Sequence, residues 1–242
     1  MYRDADIGTA PVGGRSSALP ASCADCRVRS AAICCALDDS GLTALSRLGR
    51  RITLAAGETL LWEGDEAITV GNVLSGMLKL STMTGDGREQ IVGIVHPSDF
   101  VGRPFGKDSP HSVTALTDAS LCVFGRVAFD RFAREHEAIG HALLDRTLTE
   151  LDRARHWMLL LGRKSAYERV ASLIAEIADR SGGGATVELP LSRQQMADVL
   201  GLTIETVSRS LTRLKRDRII AIPGLRRLTI LQPEVLATIA SG

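Results

Sequence analysis

Residues 192–217 constrain the fold of this 242-residue chain more than any other stretch. Ser192 is a favourable N-cap for a helix in which Met196, Val199 and Leu200 supply the buried face, and Gly201 ends it. Thr203 then caps a second helix over 204–216, with Val207, Leu211 and Leu214 inward. Two helices crossing at a sharp angle need a small residue where they meet, a glycine in the turn and an aliphatic residue in the angle. Ala197, Gly201 and Val207 stand at that spacing, so the segment is expected to be a helix-turn-helix rather than a plain helical hairpin.

Once the inward face is fixed, the opposite face follows. Thr203, Glu205, Ser208 and Arg209 cluster at the start of the second helix, the part that can enter a major groove of double-stranded DNA. Arg209 can give two hydrogen bonds to guanine O6/N7, and Glu205 can accept from a cytosine amino group or merely serve as a first-turn acid. Arg213, Lys215 and Arg216 lie further along and suit phosphates. Apolar runs around Ile219–Ile222 and Leu228–Ile230, separated by Pro223 and Gly224, are expected as the hairpin wing. The net charge of +1 is uninformative, but residues 164–242 hold eleven basic against eight acidic residues, a modest excess compatible with a nucleic-acid partner.

Upstream, residues 42–127 alternate short apolar runs with Gly/Asp turns, the pattern of a β-sandwich or β-roll. From Phe129 to about Leu161 the period becomes helical. Leu144, Thr147, Leu151, Ala154 and Met158 recur three and four apart on one stripe of a helix of roughly 25 residues, suited to a homodimer seam or to packing on its own domain. A second helix is expected over 166–179. The expected organisation is α+β: an arm with a cysteine cluster (1–40, its first twenty residues disordered), a roll (41–128), a dimerisation helix (129–162) and a winged helix-turn-helix (163–242).

No apolar run is long enough to span a bilayer, so no membrane is expected as a partner and the protein is expected in the cytoplasm. The five cysteines then point to metal or redox chemistry rather than structural disulfides. Cys23, Cys26 and Cys34 give Cys-x2-Cys-x7-Cys, Cys35 is a neighbour that could replace Cys34, and Cys122 is the remaining candidate for a fourth ligand. Spacing alone leaves open an iron–sulfur cluster, a tetrathiolate zinc, a thiol switch, and a merely buried Cys122. An enzyme is not expected: the five histidines form no metal-ligand spacing, and phosphate-cradling glycine motifs and nucleophile elbows are missing.

In that order, β-roll, long helix and winged helix-turn-helix resemble the CRP/FNR family of homodimeric transcription regulators, from about Cys23 to the C-terminus. The most specific stretches are Leu202-Thr-Ile-Glu-Thr-Val-Ser-Arg209 and Met158-Leu-Leu-Leu-Gly-Arg-Lys164, the first similar to the recognition helix of the FNR branch. The resemblance implies that Glu205, Ser208 and Arg209 read TTGAT half-sites in an inverted repeat. It also implies that Cys23, Cys26, Cys34 and Cys122 hold an oxygen-sensitive 4Fe-4S cluster, one per subunit, and that the turn at residues 84–90 touches RNA polymerase. Residues 99–106 lack the Gly-Glu pair and Arg-Ser segment of cyclic-nucleotide binders, so no cyclic nucleotide is expected.

Overall fold

The computed structural model describes residues 21–180, 182, 184–224 and 226–242; the first twenty residues, expected as a disordered arm, lie outside the described residues. The described part begins with a short helix, α1 (Ala21–Ala24), a 3-10 turn (Ile33–Ala36) and α2 (Asp39–Leu48). Asp38 caps α2, its Oδ1 accepting the Gly41 N–H at 2.8 Å. Residues 21–40 are not a loose arm throughout: Ile33 is fully buried in a cluster with Leu45, Phe124 and Phe129. An apolar Ala31-Ala32-Ile33 run gives that segment enough surface to dock.

Eight strands follow: β1 (Gly49–Leu54), β2 (Thr59–Leu61), β3 (Thr69–Ser75), β4 (Leu78–Met83), β5 (Glu89–Val95), β6 (Phe100–Val101), β7 (Ser112–Ala115) and β8 (Ala119–Gly125). They form two four-stranded antiparallel sheets, ordered β1-β8-β3-β6 and β2-β7-β4-β5. This is the expected β-roll. Strand alternation decides what each residue can do. Val73, Leu121 and Val123 point between the sheets into the roll core, whereas Val70, Asn72, Cys122 and Phe124 belong to the outer face of the first sheet.

The expected continuous helix from Phe129 is instead two. α3 (Arg126–Glu135) buries Phe129, Phe132 and Ala133, and α4 (Glu137–Arg163) begins after a break at His136. His136 is extended (φ −124°, ψ 91°), and its ring stacks on Phe132 with centroids 3.8 Å apart, which turns the chain there. The apolar period crosses the break unchanged because both helices bury residues against the same sheet face. At 27 residues, α4 is about 40 Å long.

Beyond it lie α5 (Ala166–Arg180), β9 (Thr186–Glu188), α6 (Arg193–Leu200), α7 (Ile204–Arg216), β10 (Ile220–Ala221), β11 (Arg227–Ile230) and α8 (Pro233–Ser241). The three strands form one sheet ordered β10-β11-β9, and β10 with β11 makes the expected wing. α8, not anticipated from sequence, starts with Pro233 in its first turn and buries Leu236. This unit is joined to the roll. Ile91 and Leu116 belong to the same buried cluster as α5, α6 and α7, Gln90 Nε2 donates to the Val199 carbonyl at 3.3 Å, and Arg180 pairs with Asp99 at 2.6 Å.

Candidate DNA-recognition helix and cysteine cavity

The turn between α6 and α7 is built from the residues that the pattern singled out. Ser192 Oγ accepts the Gln195 N–H at 3.1 Å while Gln195 Oε1 accepts the Ser192 N–H at 2.8 Å, a reciprocal cap. Gly201 takes the left-handed conformation (φ 61°, ψ 40°), which a side chain would oppose. Thr203 Oγ1 accepts the Thr206 N–H at 3.3 Å and so starts α7. Val207, Leu211 and Leu214 are buried, leaving Thr203, Glu205, Ser208, Arg209 and Arg213 all exposed on the other side.

Two of these side chains are held in place. Arg209 Nη2 donates to Thr206 Oγ1 at 3.2 Å. The Arg213 guanidinium lies 4.2 Å from the centre of the Tyr167 ring and 3.7 Å from Asp217. Tyr167 was missed by the sequence reading, because nothing in the sequence says that the start of α5 packs beside the middle of α7. A hydrogen bond from its own backbone N–H, with help from Thr203, keeps the Glu205 carboxyl below the usual carboxylate range, hence ionised at neutral pH.

On α4, Leu144, Thr147, Leu151, Ala154 and Met158 are all exposed in the single chain, Met158 to 73%. Leu148 and Leu159 widen the stripe. Apolar exposure of this extent along one face of a long helix is what an association surface would bury.

The cysteines converge from two sides. Cys23, Cys26 and Cys34 approach from the N-terminal segment, and Cys122 faces them from β8; together they line one cavity of about 110 Å³. Cys35 is exposed and lines no part of it. Room for the cavity depends on Gly49, where a Cβ would lie 2.6 Å from the Phe124 ring and 3.4 Å from Cys122 Sγ. Burial, reinforced by the neighbouring thiols, pushes Cys34 and Cys122 from 9.0 up to about 11. None of the five cysteines forms a disulfide among the described residues. Among the described residues no group of three or more His, Cys, Asp or Glu side chains is arranged to hold a metal ion.

A roll, a long helix with an apolar seam and a winged helix-turn-helix with a polar recognition face define a DNA-binding transcription regulator. Residues 168–239 match the Crp-like helix-turn-helix domain and residues 51–136 the cyclic nucleotide-binding domain. The chain is 44% identical over 216 residues to the transcriptional activator protein FnrL of Cereibacter sphaeroides, covering 86% of this chain and 87% of that one. It is 40% identical to the nitrogen fixation regulation protein FixK of Bradyrhizobium diazoefficiens, covering 89% and 93%. The solved structure of FixK2 from Bradyrhizobium japonicum superposes with a TM-score of 0.76 at 30% identity, covering 80% of this chain and 98% of that one. This chain belongs to the CRP/FNR family of transcription regulators, and it is not an enzyme. No helix among the described residues is long and apolar enough to cross a membrane.

Proposed function

We propose that this regulator is an oxygen sensor: a cytoplasmic homodimer that binds inverted repeats of TTGAT-type half-sites while a 4Fe-4S cluster is held by Cys23, Cys26, Cys34 and Cys122. The observation that carries the reading is the convergence of those four thiols on one cavity, with Cys35 outside it. The space of about 110 Å³ that they line has room for a body larger than a single ion, which favours a cluster over a tetrathiolate zinc. A thiol switch that starts from Cys34 or Cys122 is disfavoured, because burial raises both thiols to about 11 and leaves little thiolate at neutral pH.

When bound, the cluster supplies an oxygen-labile tether between the N-terminal segment and the roll. The chain's own residues relay its presence. Cys23, Cys26 and Cys34 draw residues 23–36 toward β8, and Ile33 packs in that position against Phe129 and Ile139 at the start of α4. Arg146, further along α4, donates to the Ala31 carbonyl. A segment so docked fixes the upper part of the seam formed by Leu144, Thr147, Leu151, Ala154 and Met158, and dimer population sets occupancy of a two-half-site operator.

On DNA, Arg209 reads guanine, Glu205 and Ser208 complete the base contacts, and Thr203 and Arg213 meet the backbone. The turn at residues 84–90, exposed over 84–88, is assigned to RNA polymerase. No cyclic nucleotide is assigned to the roll. Asp99 is occupied by the His96 N–H and Arg180, and Asp130 by the Phe105 N–H and Arg126.

Anaerobic purification with iron and sulfide assays tests the sensor. About four of each per chain, with an absorption band that bleaches in air, is the expected result. Zinc in their place, or no metal, would leave the DNA-binding reading intact and overturn the oxygen-sensing one.

A further inference from the structure

Four thiols do not account for the whole cavity wall. Asn72, on the outer face of β3, is 2% exposed, and its Oδ1 has no hydrogen-bond partner. Buried amide groups are nearly always paired, so an orphan that lines a cavity points to something that enters it. Asn72 lines the cysteine cavity, and its register partner on β8 is Cys122 itself. Directly opposed residues of antiparallel strands have Cβ atoms about 5 Å apart, within reach of an amide. Arg51 of β1 is the register partner of Cys122 on its other side and lines the same cavity. Arg51, Cys122 and Asn72 thus form a row across three strands, the thiol flanked by a cation and an amide.

We propose that Asn72 is a positioning residue for the cluster, its side-chain amide donating a hydrogen bond to a sulfur of the group that the four cysteines hold. Half a turn about the Cβ–Cγ bond exchanges the amide oxygen and nitrogen, so the same site offers an N–H to the cavity. Thiolate and sulfide sulfurs accept hydrogen bonds and do not donate them. Such bonds, with the nearby positive charge of Arg51, are what tune an iron–sulfur group and hold its ligands in place.

The inference rests on the cluster reading, and the experiment separates the two. Wild type, Asn72→Ser and Asn72→Ala are purified anaerobically as full chains, assayed for iron and sulfide, and followed by absorbance as air is admitted. Serine and alanine differ by one hydroxyl donor. With equal iron, the alanine variant is expected to bleach about three- to tenfold faster than wild type, the effect of one lost hydrogen bond, with serine restoring much of the difference. Equal rates for alanine and wild type would overturn the inference, as would a serine variant as fast as alanine, which would assign the effect to lost packing. Should the small side chains prevent folding, Asn72→Leu keeps the volume without a donor and is expected to bleach as fast as predicted for alanine; a wild-type rate overturns the inference. A wild-type protein without iron sinks the cluster reading itself.

Discussion

Ser98 carries a positive φ of 77° in the turn closed by the Asp99 N–H on the His96 carbonyl. With Pro97 before it, this is the type II arrangement whose third position favours glycine. Ser98→Gly is therefore expected to raise stability by about 1 kcal/mol, visible as a higher melting temperature; an unchanged or lower one would contradict the strain. Arg209 offers a test on function. Arg209→Ala is expected to weaken specific DNA binding by about 1–3 kcal/mol and to relax the preference at one base of each half-site. A uniform loss across sequences would instead make Arg209 a phosphate contact. At this scale the sequence was legible where neighbours along the chain decide the outcome, as with Ser192, Gly201 and Thr203. It was not legible for Asn72, which meets Cys122 only through strand register, or for the choice between Cys34 and Cys35. The 3-10 turn puts Cys34 in the cavity wall and leaves Cys35 exposed, a facing that spacing along the chain does not encode.

Elements were readable to the extent that their amphipathic pattern is local. α6 and α7 carried their caps, turn residue and apolar faces in one continuous segment. The roll appeared as apolar runs without pairing information, since neither sheet order follows from any one strand. The join between α3 and α4 was invisible because His136 breaks the backbone while the apolar period continues on both sides. The exposed stripe of α4 permits a direct prediction. Leu151→Glu places a charge in the middle of the seam and is expected to yield monomer by sedimentation at micromolar concentration, with loss of binding to a two-half-site operator. Because Thr147 and Ala154 put no charge in the seam, the metal-free chain should still dimerise appreciably at that concentration. A purely monomeric apoprotein would refute this.

Over the molecule as a whole, the contact between roll and winged helix carries a titratable group. Burial above all, aided by Arg180 and Arg153 and opposed by Asp99, lowers His96 from 6.5 to about 4. Its folded value lies below its unfolded one, so the neutral ring contributes stability that is complete above pH 6.5 and is lost as pH falls through 4. The melting temperature is expected to fall across that window, and His96→Gln, which cannot titrate, should flatten part of the slope; an identical slope would exclude His96 as its source. Nothing in the sequence marked this seam, because Asp99 and Arg180 are brought together only by the packing of α6 on β5.

The burial of Ile91 and Leu116 among residues of α5, α6 and α7 also bears on how freely such regulators can be recombined. A chimera cut at Lys164, taking its winged helix from here and its roll from another protein, would set Val199 and Leu200 against a foreign hairpin. The unit that can be transplanted is therefore not continuous in the chain: the β4–β5 hairpin has to travel with the DNA-reading helices, although 97 residues separate β5 from α6.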